Sequence, residues 1–259
     1  MATMSIGKAW EEAVAFVSRE RGLLFPVALL FVALPGVILG EMTPPELTAW
    51  AASQTRTALP QIPASYALSA LLAAVLIWFG SLSLFALALR PGISVGEALR
   101  LSLSRLPVLM GTTFLAGAAM AAGFLALSLV GMLIAAVSQP LMVLGMSAAM
   151  VGLIAFFGVR LILLNPVVID GQDGVVASLK RSWRLTQGHF WRLLGFVATL
   201  TLLSLIASSA AQAVFGIIGK LLAGADGARL IGGVAAAAVS TVVQVYMLVM
   251  LARLYRQVG

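Results

Sequence analysis

The chain has 259 residues, of which 61% are hydrophobic and only 10% are charged, and its formal net charge is +7. An average soluble domain carries about 25% charged residues. The few charged side chains of this sequence cannot cover the surface of a soluble globule of its size. The composition therefore argues against a soluble enzyme, a disordered segment and a nucleic-acid-binding module. It predicts an all-α integral membrane protein.

The residues that most often carry chemistry are scarce. The chain has no cysteine and a single histidine, His189, so disulfide frameworks, thiolate metal sites and His-rich metal cages are excluded. The sequence contains no Walker or Rossmann glycine pattern, and the uncharged runs hold no paired carboxylates for acid–base work. We therefore expect no catalytic residue, no cofactor, no metal ion and no nucleic-acid partner.

Uncharged runs set the expected membrane spans. About 20 apolar residues of helix cross a bilayer core that is ~30 Å thick. The run 106–159 is too long for one crossing, and Gln139-Pro140 near its middle is typical of a turn. Dividing the run there gives six spans in a single transmembrane domain, residues 1–259. These spans cover roughly 22–40, 66–90, 108–137, 141–165, 190–216 and 229–252.

The basic residues indicate how the helices are oriented. Six crossings place both termini on one side of the membrane, and 13 of the 16 Lys and Arg residues lie on that side. Only Arg56, Lys220 and Arg229 fall on the other. Such asymmetry in short loops marks the basic side as cytoplasmic. The positive charge is therefore expected to face anionic lipid headgroups rather than nucleic acid.

A similar short segment precedes each pair of spans. Residues 5–10, 94–99 and 174–179 each begin with Ser or Gly and lead into basic residues. All three show apolar residues at helical spacing opposite charged ones, which is typical of helices lying in the headgroup region. The sequence therefore predicts three hairpins, each preceded by an amphipathic interfacial helix, at roughly 4–20, 94–106 and 174–187. Packing of these segments on the spans themselves is the alternative.

Arg160 is the most unusual charged residue because it lies inside an apolar stretch. A charge held at mid-bilayer costs about 2.5–3.5 kcal/mol. One interpretation is a buried site for a substrate or a lipid phosphate. The other, which we favour, is that the side chain reaches the interface or pairs with Asp170 or Asp173.

A basic cluster follows Arg160 in the chain. Lys180, Arg181, Arg184 and Arg192 are candidate contacts for an anionic lipid, together with Arg160. The alternative is that these charges only fix the orientation of the helices.

Two stretches around this cluster resemble a known bacterial signature. Residues 160–170 read Arg-Leu-Ile-Leu-Leu-Asn-Pro-Val-Val-Ile-Asp, and residues 177–192 contain Arg-Ser-Trp and then Trp-Arg. This pattern resembles the glycerophosphoryl diester phosphodiesterase membrane-domain family of six-span inner-membrane proteins. Besides the basic residues, the positions that match are Pro166, Asp170, Ser182, Trp183 and Trp191.

The resemblance implies a location and a range of functions. It implies a multi-pass protein of the bacterial inner membrane, linked to membrane or envelope lipid homeostasis. In that family the membrane domain is sometimes fused to a catalytic barrel, for which this chain has no room.

Three functional hypotheses follow. We expect a non-catalytic module that interacts with lipids or acts as a scaffold. The alternative is a transporter or channel for a small solute or a lipid, with a site near Arg160. A membrane-embedded hydrolase is disfavoured. Membrane lipids are the expected partners, and a membrane-protein partner or a homo-oligomer stays open.

Overall fold

The computed structural model describes residues 5–52, 60–135 and 138–258, and within those ranges every regular element is helical. In chain order the helices are α1 (Ile6–Ala28), a π-helical turn (Leu29–Ala33), α2 (Leu34–Glu41), α3 (Pro45–Ala52), α4 (Ala64–Leu89), α5 (Val95–Ala135), α6 (Gln139–Leu161), α7 (Leu164–Asp170), α8 (Val175–Thr186) and α9 (Phe190–Val258). The predicted first residue of the first interfacial segment, residue 4, and the predicted end of the third span, 136–137, lie outside these residues.

Five helical segments are long and apolar enough to cross a membrane. They are Ile6–Glu41, Ala64–Leu89, Val95–Leu133, Gln139–Asp170 and Phe190–Val258. The expectation of an all-helical chain with membrane-type helices is therefore confirmed. The fifth and sixth predicted spans, 190–216 and 229–252, both fall within the 69-residue helix α9.

Helix α9 folds back on itself near its middle. Ala223 and Gly224 have non-helical backbone angles, and the φ of +68° at Gly224 is one that glycine adopts without steric cost. A Cβ atom added to Gly219 would collide with the backbone of Gly227, and one added to Gly232 would lie 2.9 Å from the carbonyl oxygen of Gln212. The two arms, α9a (190–222) and α9b (225–258), are therefore antiparallel and in backbone contact.

The three predicted interfacial segments differ in how they appear in the structure. The first merges with the following helix, but Glu20 interrupts the regular backbone there (φ −102°, ψ 16°). The third corresponds to the separate helix α8. The second, 94–106, is not a separate helix, because α5 runs through Pro107 as one element of 41 residues. Pro107 directly follows Leu106 but does not end the helix, and no glycine or polar turn separates Leu106 from the apolar run.

The predicted span 141–165 is also interrupted. Helix α6 ends at Leu161, and after Ile162 and Leu163 the chain begins the short helix α7. Pro166 accounts for the break because it has no N–H to donate to the carbonyl of Ile162.

The ends of several helices meet at one end of the bundle, which we call the basic end. The backbone N–H of Ser5 donates to the side chain of Gln257 over 2.8 Å, and the guanidinium of Arg256 donates to the carbonyl of Leu89. The most deeply buried apolar residues are concentrated here, in 82–89 of α4, in 163–169 and in 248–255 of α9b. The charged segments that the sequence analysis assigned to one side of the membrane therefore lie together in the fold.

The opposite end, the far end, is held by different contacts. Arg229 forms an exposed ion pair with Glu41 at 2.7 Å, and the hydroxyls of Thr43 and Tyr66 lie 3.3 Å apart. Large apolar side chains remain exposed towards this end, such as Leu133 (74%), Leu144 (73%) and Leu221 (83%). Apolar surface of this extent is costly in water and favourable in lipid.

Candidate functional site

Helix α8 has one buried polar face and one exposed basic face. Ser178, Ser182 and Thr186 recur every four residues, so they share a face, and all three are fully buried. Their short side chains let α8 lie close to its neighbours, and the Ser182 hydroxyl donates to the carbonyl of Arg160 over 3.0 Å. Lys180 and Arg184 point away from this contact and are exposed.

Arg160 lies in the last turn of α6 among aromatic rings. The guanidinium carbon is 5.1 Å from the centroid of the Trp183 ring and 5.5 Å from that of Phe156. Cation–π contacts contribute about 0.5–2 kcal/mol each. The position at a helix C-terminus also favours a cation.

The hydrogen-bonding capacity of Arg160 is only partly used. Its Nε and Nη1 atoms are buried, and within the described part of the chain neither has a hydrogen-bond partner. The predicted partners are engaged elsewhere: Asp170 accepts from Tyr255, and Asp173 pairs with Arg181. The predicted pairing of Arg160 with either aspartate is therefore wrong. The aromatic rings take its place.

A polar network joins α7, α8 and α9b. The Tyr255 hydroxyl donates to Asp170 Oδ2 over 2.8 Å, and Arg181 Nη1 lies 3.6 Å from Asp173 Oδ2. The guanidinium of Arg181 also lies over the Tyr255 ring, 6.0 Å from its centroid. Arg181 is therefore committed to contacts within the protein, unlike its neighbours Lys180 and Arg184.

The exposed face of α8 borders an open cleft of about 460 Å³. Lys180, Arg181 and Arg184 line it together with Asp173 and the Trp183 ring. Three cations and one carboxylate leave the cleft net positive. An anionic group fits this surface by charge.

The residues predicted from the sequence divide into four places. Arg160, Ser182 and Trp183 form one contact between α6 and α8, while Lys180, Arg181 and Arg184 line the cleft. Pro166 and Asp170 belong to α7. Trp191 and Arg192, in the first turn of α9a, line a different groove, which also contains Trp10.

Two contacts of the basic end were not predicted. Sequence reasoning did not pair Tyr255 with Asp170, which lies 85 residues away in the chain. It also gave no partner to Arg256, which caps the carbonyl of Leu89. Of these residues only Asp170 lies in a stretch that carries the family resemblance, so the sequence contained no signal for either contact.

No family model matches this chain, and neither a curated protein nor a solved structure matches it. The resemblance to the phosphodiesterase membrane-domain family therefore stays a prediction that depends on the motif residues.

Replacing Tyr255 with Phe tests the network. The substitution removes the donor to Asp170 and keeps the buried ring, so we expect the free energy of unfolding in detergent to fall by about 1–2 kcal/mol. Tyr246→Phe is the matched control, because the Tyr246 hydroxyl forms no hydrogen bond within the described residues. Equal stability changes for the two variants would contradict a stabilising role for the bond.

Proposed function

We propose that the chain is a non-catalytic protein of the bacterial inner membrane that interacts with anionic lipids through its basic end. In this proposal it crosses the bilayer six times, and both termini are cytoplasmic. Its role is that of a lipid-interacting or scaffold module in membrane or envelope lipid homeostasis. The observation that carries the proposal is the convergence of the charged segments at one end of an otherwise apolar bundle.

The hairpin in α9 supports six crossings. Each arm is longer than the ~20 residues that a helix needs to cross the hydrocarbon core. Counting the arms as separate spans turns the five long apolar helical segments into six. An even number of crossings is also consistent with the hydrogen bond between Ser5 and Gln257, which brings the first and last helices together at one end of the bundle.

The basic end supports contact with anionic lipids. Lys180 and Arg184 are exposed on α8 and border the open cleft. A Lys or Arg near an anionic membrane surface contributes about 1 kcal/mol of attraction. Arg181 contributes less, because Asp173 already neutralises part of its charge. We therefore assign the main lipid contact on α8 to Lys180 and Arg184, and Arg192 belongs to the groove beside α1.

The motif resemblance supports a link to lipid homeostasis. The residues of that motif occupy the basic end: Arg160 and Ser182 join α6 to α8, and Asp170 holds α9b through Tyr255. These contacts use those residue types together in this chain. They give the motif a structural role, which agrees with a non-catalytic protein.

Charge removal at the basic end tests the proposal. The variant Lys180→Gln/Arg184→Gln should lower the preference for spin-labelled phosphatidylglycerol over phosphatidylcholine in mixed bilayers. At about 1 kcal/mol for each charge, the relative association constant at this site should fall by roughly thirtyfold. High salt should reduce the preference of the wild-type protein in the same direction.

The matched control removes two cations from the far end. Lys220→Gln/Arg229→Gln changes the net charge by the same amount, and it breaks only an exposed ion pair of small energetic value. We expect this control to keep the preference for phosphatidylglycerol at the basic side. An equal loss in both variants, or no loss in either, would count against a specific lipid contact on α8.

Arg160 supports a second candidate function, a transporter or channel for a small solute or lipid. Two buried donors without a protein partner are the arrangement that an anion would satisfy. In this case inorganic phosphate should raise the unfolding temperature of the detergent-solubilised protein, and Arg160→Met should abolish the shift.

Arg253 provides the matched control for this second candidate. Its Nε is also buried and has no hydrogen-bond partner among the described residues, and its guanidinium lies 4.8 Å from the centroid of the Phe16 ring. Arg253→Met should keep the phosphate shift. No shift in the wild-type protein, or an equal loss in both variants, would rule out an anion site at Arg160.

A further inference from the structure

A groove of about 470 Å³ opens between the start of α1 and the two arms of α9. Trp10 and Trp191 stand along it and are both exposed, at 45% and 78%. Its floor is apolar and consists of Phe196, Leu200 and Met250, which are buried. The volume is in the range of pockets that hold small ligands.

Two glycines border this groove without adding a side chain to it. Gly7 on α1 and Gly195 on α9a line it, and a Cβ atom added to either would meet no other atom within 4 Å. Close helix packing is therefore not the reason for glycine at these positions. This distinguishes them from Gly219 and Gly227, whose added Cβ atoms would collide with the opposite arm.

The groove combines an apolar floor with a single cation. Arg192 is the charged residue among those that line it, and its side chain is exposed at the rim. The hydroxyl of Thr199 already donates to the carbonyl of Gly195 over 2.8 Å, so it adds no free donor. A ligand that fits has one negative group and an extended apolar part.

The groove continues into the apolar face of α9a. Gly195, Thr199, Leu202 and Ile206 follow one another at helical spacing of three or four residues, so they lie along one face. Leu202 and Ile206 are 57% and 60% exposed, and Thr199, whose hydroxyl is already hydrogen-bonded to Gly195, is the one polar residue of these four. An acyl chain starting in the groove can therefore pass directly onto the surface that faces hydrocarbon in a membrane.

We propose that this groove holds one anionic phospholipid of the cytoplasmic leaflet, with its phosphate at Arg192 and one acyl chain over Phe196, Leu200 and Met250. This inference rests on the proposed function, because it requires the basic end to face that leaflet. The two tryptophan side chains suit a position at the level of the lipid headgroups, where amphipathic rings anchor membrane proteins. The groove is a discrete site for one molecule, whereas the cleft on α8 offers a charged surface to many.

Filling the groove is the sharpest test. Gly195→Leu places a side chain in the open space, and leucine is a better helix former than glycine, so the fold should be kept. The protein is reconstituted with phosphatidylglycerol, extracted in mild detergent and examined by native mass spectrometry. We expect the wild-type protein to retain one phosphatidylglycerol, and Gly195→Leu to lower the retained fraction at least tenfold.

Two further variants make the result specific. Gly158→Leu is the matched control on α6, where an added Cβ also meets no atom within 4 Å, and it should keep the bound lipid. Arg192→Gln should remove the preference for phosphatidylglycerol over phosphatidylcholine. A lipid that persists in Gly195→Leu would overturn the inference. So would equal retention of both lipids by the wild-type protein, or a dimer that Gly195→Leu dissociates, since a second copy would then occupy the groove.

The test of the groove can be distinguished from the test of the proposed function. Lys180→Gln/Arg184→Gln should retain the single bound phospholipid, because neither residue lines the groove. If the preference for anionic lipid on α8 fails while the single bound lipid is retained, only the broader proposal is wrong. If the bound lipid is absent while that preference holds, only the groove assignment is wrong.

Discussion

The cost of placing charge in hydrocarbon organises this molecule. A charged side chain at the centre of a bilayer costs about 2.5–3.5 kcal/mol, and an unsatisfied backbone group also costs several kcal/mol there. The chain avoids both costs: long helices satisfy the backbone groups, and the charged segments are gathered at the helix ends. Arg160 is the exception in the sequence. The structure places it in the last turn of α6 between aromatic rings, just before the break at Ile162 and Leu163.

The same constraint makes the basic end both the most charged and the best packed part of the bundle. Deeply buried residues from α1, α4, α7 and α9b meet there, and the bond between Tyr255 and Asp170 joins α7 to α9b. Towards the far end α5, α6 and α9a expose large apolar side chains. In a membrane this difference leaves the apolar surface for lipid tails. The cleft on α8 and the groove beside α1 both lie at the basic end.

Hydropathy and amphipathic spacing were sufficient to locate most helices. The predicted span 66–90 corresponds to Ala64–Leu89, and the predicted interfacial helix 174–187 corresponds to Val175–Thr186. Local patterns did not reveal that α5 continues through Pro107 or that α6 stops before Pro166. Both prolines lack the N–H that a helix uses, yet only Pro166 coincides with a break, so a proline in the sequence does not by itself fix where a helix ends.

The candidate site was less accessible to sequence reasoning because distant residues form it. Periodicity identified the exposed cations Lys180 and Arg184, but it could not show that Asp173 engages Arg181. The groove combines Gly7 and Trp10 with Trp191 and Gly195, more than 180 residues further along the chain. No local pattern marks such a pairing. It depends on the hairpin in α9, which brings both of its arms beside α1.

Thiol labelling of single-cysteine variants tests the membrane topology most directly. The chain has no cysteine, so Lys180→Cys and Asp226→Cys each carry one reactive thiol at an exposed position. With a membrane-impermeant maleimide, position 226 should react in intact cells whose outer barrier has been opened. Position 180 should react only after the inner membrane is permeabilised. Reaction of both positions from the same compartment would contradict the proposed six crossings.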